Sequence, residues 1–251
     1  MAVSLSLGVV SGASAADLPA KSRPYVEAQV FSWSGFYLGL HAGYGWGSNN
    51  WNLVGVLESP TIIGNPLKPK TDGVLGGVQA GANYQLASWV FGIEADLAVM
   101  HGKGSSDGTL LQAGGAPIGI TSTATSQIEW LALFTGRAGY AFDRTLFYAK
   151  GGVAAAETKD SFNLLQMAPT PQFIDFGSKN NTQVGWTIGG GIEHAFAPNW
   201  SAKIEYNYID LGTSSENFNV LIAGAPSTTL TFRQDIEHTL QIVKVGANYR
   251  F

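Results

Sequence analysis

The sequence contains no cysteine, few charged residues and no long apolar run. Without cysteine, neither disulfide bonds nor thiolate metal sites are available to its 251 residues. Charged side chains make up 13% of the chain, against about a quarter in ordinary globular domains. The net charge of −4 offers no basic surface for nucleic acid. No stretch reaches the ~18 apolar residues of a transmembrane helix. That class is excluded, but membrane barrels are not, because their strands are short and only half apolar.

The chain is instead rich in glycine, aromatic rings and alternating patterns. It has 32 glycines and 12% aromatic residues. Apolar and polar residues alternate with the period of two that marks strands, not the 3.6 of a helix. We predict strands in eight stretches, at residues 35–47, 73–86, 89–102, 125–142, 145–157, 182–196, 200–212 and 236–251.

The connections between these stretches alternate between short and long. Three are tight turns, at Ala87-Ser88, Asp143-Arg144 and Ala197-Pro198-Asn199. The others run to about twenty residues each, well beyond a usual hairpin loop, at 48–72, 103–124, 158–181 and 213–235. Such alternation is typical of outer-membrane barrels, whereas nothing requires it in a soluble lipocalin-like barrel. The sequence therefore predicts an all-β fold, an eight-stranded antiparallel up-and-down transmembrane β-barrel with short periplasmic turns and four long extracellular hairpin loops.

The first residues predict export. Residues 1–10 form a short apolar run, and Ala13-Ser14-Ala15 provides a small-x-small cleavage site. We therefore divide the chain into a signal peptide at 1–16, a periplasmic N-terminal lead-in at 17–33 and an outer-membrane β-barrel at 34–251.

Alternation assigns two faces to each strand. On the last strand, Val243, Val245 and Ala247 share the lipid-facing side with Tyr249 and Phe251. The opposite face carries five acids and five bases, which we expect to form an ion-pair network in the lumen: Glu94, Asp96, Glu129, Arg137, Lys150, Glu193, Lys203, Glu205, Lys244 and Arg250. Glycines between them leave room for long side chains, and eight strands enclose an interior that side chains can fill.

Two chemical alternatives for these polar residues are weaker. Glu94 with Asp96, or Glu193 with Glu205, could be catalytic carboxylate pairs, but the neutralising bases favour a structural role. The four histidines, His41, His101, His194 and His238, lie on different strands without ligand spacing, so no metal site is predicted.

The long loops carry apolar runs on both sides of a proline, at Pro60, Pro117, Pro169, Pro171 and Pro226. This pattern predicts that the strands continue past the membrane as four hairpins. The runs pack on one another, or their tips form an apolar surface for self-association or for a hydrophobic ligand. Candidate contact residues at the tips are Leu111, Leu165 and Leu221.

Three segments resemble a known family. They are WSGFYLGLHAGYGWG (33–47), GIEHAFAPNWSAKIEYNYIDLG (191–212) and VGANYRF (245–251). They are similar to the small outer-membrane antigen barrels of Gram-negative, alphaproteobacterial bacteria, which include members described as porins or as hemin-binding proteins. The architecture also resembles the OmpA-like membrane domain. The resemblance implies periplasmic termini, contact with outer-membrane lipid and lipopolysaccharide, and insertion by the outer-membrane assembly machinery. That machinery reads a C-terminal aromatic residue, which makes Tyr249 and Phe251 the expected assembly signal.

Three functions follow as hypotheses. The first is a structural outer-membrane surface protein that supports envelope integrity, cell-surface contacts and self-association into a homo-oligomer through the apolar loops. The alternatives are a narrow porin-like channel and loop-mediated binding of a hydrophobic ligand such as heme or lipid, with His101 and His238 as heme contacts. No Ser/His/Asp constellation occurs at the loop ends, so neither an enzyme nor a cofactor is predicted.

Overall fold

The computed structural model describes residues 31–56, 62–64, 68–112, 117–166, 172–221 and 229–251. The predicted signal peptide and residues 17–30 of the lead-in lie outside the described residues. The strands are β1 (Gly35–Val56), β2 (Ile62–Gly64), β3 (Lys70–Leu86), β4 (Trp89–Gln112), β5 (Pro117–Phe142), β6 (Thr145–Gln166), β7 (Gln172–Ala195), β8 (Trp200–Leu221) and β9 (Thr229–Arg250). Within the described residues, no helix is both long and apolar enough to cross a membrane.

The eight long strands close into a ring. Each pairs antiparallel with its neighbour along the chain, and β9 closes the ring against β1. The short β2 adds to the far end of β4, where Ile62 lies opposite Gln112. In the part next to the short turns, each long strand is paired on both sides, so its backbone hydrogen bonds can be satisfied within the sheet. The predicted eight-stranded barrel is confirmed.

The outer wall is apolar around the end that carries the short turns. Phe36, Leu40 and Phe142 are 72%, 68% and 74% exposed, which is the expected state of lipid-facing side chains. Aromatic pairs border this belt: the ring centroids of Trp89 and Tyr140 lie 5.6 Å apart, and those of Trp200 and Tyr249 lie 5.2 Å apart. The outward face assigned from alternation on β9 is the one observed.

The periplasmic turns are short. Leu86 pairs with Trp89 and Phe142 with Thr145, so two residues suffice for each of these turns. Such tight hairpins need a positive φ angle, which Ala87 and Asp143 adopt at 54° and 51°. The connection from β7 to β8 is longer, because its last pair joins Ala195 to Ser201.

The strands extend well beyond the membrane. A membrane crossing needs only about 9–11 residues per strand, whereas β5 has 26 and β4 has 24. On the extracellular side the additional residues pair as three of the four predicted hairpins, β4–β5, β6–β7 and β8–β9. The first predicted hairpin differs within the described residues, because β1 beyond Ser48 pairs with β9, and β2 pairs with β4. We call this part the extracellular extension.

Candidate functional site

The barrel interior holds a buried cluster of eight charged side chains. Six strands contribute four acids and four bases, and all are at most 5% exposed: Glu94 and Asp96 (β4), Arg137 (β5), Lys150 (β6), Glu193 (β7), Lys203 and Glu205 (β8), and Lys244 (β9). They point inward because alternate positions of a strand face the same side of the sheet. We call these eight residues the lumen cluster.

Two lysines bridge two glutamates at the centre of the lumen cluster. The Nζ atom of Lys150 lies 2.7 Å from Glu94 Oε1 and 2.8 Å from Glu205 Oε1. Lys203 Nζ lies 3.1 Å from Glu94 Oε2 and 3.0 Å from Glu205 Oε2. Each ammonium group therefore joins carboxylates from β4 and β8, two strands on different sides of the barrel.

A second branch extends toward β9. Lys244 forms an ion pair with Asp96, and its Nζ atom lies 3.2 Å from Glu205 Oε1. The imidazole Nε2 of the buried His41 lies 3.2 Å from Asp96 Oδ2. This branch connects β9 and β1 to the central pairs.

A third branch is built around Arg137. Its NH1 lies 3.2 Å from Glu193 Oε2, and its Nε donates to Asn83 Oδ1 at 2.8 Å. The guanidinium carbon lies 4.7 Å from the ring centroid of Tyr37 and 5.2 Å from that of Tyr148, within cation–π range. Arg137 therefore binds β5 to β3, β7 and two aromatic rings at once.

Neutral side chains donate further hydrogen bonds to these carboxylates. Tyr37 donates to Glu94 Oε2 at 2.8 Å, and Tyr148 donates to Glu205 Oε2 at 2.6 Å. Asn248 Nδ2 and Ser201 Oγ donate to Glu193 Oε1 at 2.7 and 2.5 Å. Sequence reasoning missed these partners, although their inward position in the alternation would have identified them.

The electrostatics of the lumen cluster favour a fixed structural role. Four positive charges balance four negative ones, and each charged group has at least one partner of opposite sign. Carboxylates held between two or three donors are poorly suited to accept a substrate proton. Because the groups are desolvated, removing one partner leaves a buried charge uncompensated at a cost of about 3–5 kcal/mol.

Glu129 does not join the lumen cluster, so its predicted position is wrong. It is exposed on the outer wall of β5, where the β5–β6 pairing shifts register between Ile128 and Trp130. This β-bulge adds one residue to β5, so that the buried positions change from even numbers up to Ile128 to odd numbers from Leu131. Strict alternation across the bulge places Glu129 on the wrong face.

Arg250 also lies apart from the cluster, at the periplasmic mouth. Its NH2 donates to the carbonyl of Pro198 at 2.8 Å, and its guanidinium carbon lies 4.2 Å from the ring centroid of Phe31. The predicted ion pair with a lumen acid is therefore replaced by a backbone contact and an aromatic contact.

Trp33 closes this mouth. It is 2% exposed and packs with Val90, Ala141 and Leu146. Its backbone N–H donates to Gln85 Oε1 at 2.6 Å. The cavity between Trp33 and Glu193 has a volume of about 10 Å³, roughly the space of one water molecule.

An apolar layer crosses the lumen on the extracellular side of the cluster. Six strands contribute its side chains: Leu75, Ala98, Met100, Ile128, Leu131, Leu133, Ala154, Ala156, Ile209, Leu211, Leu240 and Ile242. A Cβ atom added at Gly45 on the facing strand would lie 3.1 Å from Met100 Cε, so the wall of β1 approaches this layer closely. The sequence predicted a polar interior and missed the apolar layer.

The candidate loop residues lie near the ends of the extracellular extension. Leu111 pairs with Pro117, Leu165 pairs with Thr121, and Leu221 pairs with Thr229. All three are therefore strand residues beside the hairpin tips. At the opposite end of the barrel, Tyr249 and Phe251 are exposed on the periplasmic rim, at 37% and 70%.

The two histidines proposed as heme contacts lie on opposite faces of the barrel wall. His101 is exposed on the outside of β4, whereas His238 is buried in the lumen with its Nε2 3.8 Å from Asp160 Oδ2. One ligand cannot contact both without passing through the wall. Among the described residues, no group of three or more His, Cys, Asp or Glu side chains could hold a metal ion.

Known proteins are similar to this chain in sequence and in fold. The family described as outer membrane protein beta-barrel domain matches residues 2–251. The 31 kDa outer-membrane immunogenic protein of Brucella melitensis biotype 1 is 33% identical over 225 residues, which cover 88% of this chain and 85% of that protein. The 22 kDa outer membrane protein of Rhizobium leguminosarum bv. viciae is 28% identical over 179 residues, covering 71% and 64%. The crystal structure of OprG from Pseudomonas aeruginosa matches with a TM-score of 0.47 at 10% identity, covering 87% of this chain and 97% of that one.

Proposed function

The chain belongs to the family of outer-membrane protein β-barrel domains, as its sequence motifs predicted, and on that premise we propose that it is a structural protein of the cell surface. The barrel lies in the outer membrane of a Gram-negative bacterium. In the proposed role it strengthens the envelope and presents the extracellular extension for contacts at the surface. Relatives named as immunogenic outer-membrane proteins are consistent with such exposure.

The observation that carries this proposal is the closed lumen. Trp33 fills the periplasmic mouth, the lumen cluster fills the middle, and the apolar layer lies above it. A water-filled path would have to cross all three levels, and the apolar layer offers water no hydrogen-bonding partner. The sealed interior supports a structural protein over the narrow porin-like channel.

Planar-bilayer recording of the purified barrel tests the proposal. A sealed lumen should give no steady single-channel openings at moderate voltage. Steady nanosiemens openings, present in repeated preparations and absent from mock-purified membranes, would overturn it. A strain that lacks the protein should in addition become more sensitive to detergents and to large antibiotics, which an intact outer membrane excludes.

Self-association through the tips of the extracellular extension is a further part of the proposal. Leu111, Leu165 and Leu221 lie near the extracellular ends of their strands, where they would be available to a neighbouring copy. Replacing the three leucines with serine should lower the oligomer fraction in chemical cross-linking of whole cells. If the oligomer state and the uptake of a hydrophobic ligand such as heme or lipid were both unchanged, the hairpin tips would have no such role.

We also propose that the outer-membrane assembly machinery inserts the barrel and recognises its C-terminal aromatic residues. Tyr249 and Phe251 stand on the outer periplasmic rim, and their ring centroids lie 5.2 Å apart. Both rings are accessible on the lipid side of the last strand, as a recognition signal must be. No enzymatic activity and no cofactor form part of the proposal.

A further inference from the structure

The extracellular extension is split between β7 and β8. Near the short turns these two strands form a regular ladder, which ends at the pair of Trp186 and Asp210. Beyond this pair, among the described residues, β7 pairs with β6 alone and β8 pairs with β9 alone. We call the opening between residues 172–180 of β7 and residues 215–221 of β8 the extension slit.

The extension slit begins where β8 is bent by a bulge. A Cβ atom added at Gly185 would collide with the carbonyl oxygen of Asp210, so the two strands are still in close contact at this level. Directly above, the β-bulge at Gly212 bends β8. Asn181 Nδ2 donates to Ser214 Oγ at 3.0 Å across the base of the slit. A side-chain contact therefore joins the strands where their backbone ladder has ended.

A second opening in the extension already contains an added strand. The ladder between β1 and β3 ends at Ser48 and Lys70, and the residues of β1 beyond it pair with β9. On the other side of this opening the short β2 adds to β4, where Ile62 pairs with Gln112. The extension therefore accepts a short strand at one of its edges. In the extension slit, the described residues include no such strand.

Of the two edges that border the slit, the edge of β8 is the better template for a further strand. From Thr213 to Leu221, β8 pairs with β9 in unbroken register, whereas a register shift in the β6–β7 pairing adds one residue to β7. The segment TSSENFNVL (213–221) contains neither proline nor lysine, and Glu216 is its only charged residue. Natural edge strands are usually protected by lysine, proline or a bulge. This part of β8 has none of these protections.

We propose that the extension slit binds an extended, proline-free segment of another protein, which adds as a strand to the edge of β8. A strand edge presents N–H and C=O groups in a fixed alternation, and another extended backbone is the chemical complement of that pattern. Proline is excluded because it lacks the N–H donor. The bound segment would extend the wall of the extension at β8, as β2 does at β4.

This inference rests on the proposed role in surface contacts and names the surface that makes them. Bilayer recording tests whether the lumen is sealed, whereas the experiments below test the extension slit. A failure of the structural role and a failure of the slit are therefore distinguishable.

Orientation argues against a second barrel as the partner. Two barrels inserted in one membrane point the same way, so their β8 strands would meet in parallel. Every strand pair of this barrel is instead antiparallel. A second barrel also carries β7 and β9 on either side of its own β8, and these strands hinder close approach to the slit. A single extended segment has neither restriction.

Binding of a synthetic peptide to the barrel in phosphatidylcholine nanodiscs tests the proposal. The probe has seven residues, as many as 215–221, with alternating threonine and valine, blocked ends and a fluorophore for anisotropy; empty nanodiscs measure its partition into lipid. Two further peptides carry N-methyl groups on alternate amides, in opposite phases. At least one of them should bind about tenfold more weakly, because it cannot donate to the edge. Absence of saturable binding by the parent peptide, or full affinity of both methylated peptides, would overturn the proposal.

Proline variants of β8 locate the binding edge. Consecutive residues of a strand direct their N–H groups to opposite sides, so one of Asn217→Pro and Phe218→Pro removes a donor from the slit and the other interrupts the ladder with β9. The slit-side variant should stay folded by heat-dependent gel mobility, since proline is tolerated at strand edges, and should bind the peptide about tenfold more weakly. Asn50→Pro and Trp51→Pro, on the part of β1 at the second opening, are the matched controls and should leave binding unchanged.

Full affinity of the folded β8 variants, or equal losses in the β1 controls, would contradict the proposed edge. The methylated peptides leave the protein unchanged, so they decide the question where a proline variant fails to fold.

A single cysteine distinguishes a peptide segment from a second copy of the chain. The sequence has no cysteine, so Ser215→Cys, at an exposed position of β8, reports contacts of this edge only. Under mild oxidation, the parent peptide with one terminal cysteine should become disulfide-linked to this variant. Efficient linking of two barrels without peptide, and no linking to the peptide, would assign the slit to a second copy and overturn the proposal.

Discussion

At the scale of single residues, burial decides how much a carboxylate contributes to the stability of the folded barrel. Glu94 accepts from Lys150, Lys203 and Tyr37, and it is 1% exposed. Glu129 has the same side chain, but the bulge places it on the outer wall. The two positions provide a matched pair for measuring what the lumen cluster contributes to stability.

Glu94→Gln should destabilise the folded barrel by about 3–5 kcal/mol, because it leaves two buried ammonium groups with one carboxylate fewer. Glu129→Gln should change the free energy of unfolding by less than about 0.5 kcal/mol. Urea unfolding in lipid vesicles, followed by tryptophan fluorescence, measures both. Equal effects of the two substitutions would show that the ion pairs contribute little beyond surface interactions.

The aromatic ring of the terminal Phe251 allows the assembly of the barrel to be tested separately from its stability. Phe251 is 70% exposed, so its deletion removes little packing from the folded barrel. If the assembly machinery recognises this ring, deletion should sharply reduce the protein in outer-membrane fractions while the melting temperature of the purified barrel stays nearly unchanged. Phe142→Ala, which removes a similarly exposed ring at another turn, is the control. Normal outer-membrane levels of the deletion would refute the signal.

At the scale of strands, β-bulges mark the positions where the alternation of inward and outward side chains changes phase. The β8–β9 pairing shifts between Asp210 and Thr213. Gly212 adopts a φ angle of 75° at this point and donates its N–H to Asp210 Oδ1 at 2.8 Å. Residues other than glycine seldom adopt such an angle, so this glycine allows β8 to change its facing as it enters the extracellular extension.

Gly212→Ala should lower the free energy of unfolding by about 1 kcal/mol, because alanine is strained at a positive φ angle. Gly136→Ala on β5 is the control, since a Cβ atom there meets nothing within 4 Å. Its effect should stay within about 0.5 kcal/mol, in the stabilising direction. The unfolding midpoints of both variants in the same lipid provide the comparison. Equal losses would mean that the bulge is not held by the backbone angle of Gly212.

These two bulges also mark how far the sequence predicts the strands. Period-two alternation and the contrast between short and long connections were sufficient for the ring of eight strands and for its outward face. The bulge at Glu129 has no marker in the sequence, because one inserted residue is locally indistinguishable from a regular strand. Similarly, Leu131 and Leu133 face inward between outward Ala132 and Phe134, and alternation cannot assign faces within such a continuous apolar run.

At the scale of the whole molecule, the lumen cluster connects all parts of the ring. Its charged members come from β4 to β9, while β1 adds Tyr37 and His41 and β3 adds Asn83. The sequence predicted all eight charged members, together with Glu129 and Arg250, which lie outside the cluster. It did not predict which neutral side chains they contact, because alternation places Tyr37 and Tyr148 inward without showing their partners. Contacts between distant strands become possible only when the barrel closes, and no local pattern encodes them.

The three closed levels of the lumen predict how the barrel responds when one of them is opened. Trp33→Ala removes the ring that fills the periplasmic mouth, yet the Glu94–Lys203 pairs and the apolar layer remain in place. We therefore expect this variant to stay non-conducting in planar bilayers, although its melting temperature should fall because a fully buried tryptophan is lost. Trp200→Ala, at an exposed site on the outer wall, is the matched control and should be less destabilised. Steady openings of the Trp33→Ala barrel would mean that the mouth alone blocks the lumen, and that the cluster and the apolar layer above it are permeable to ions.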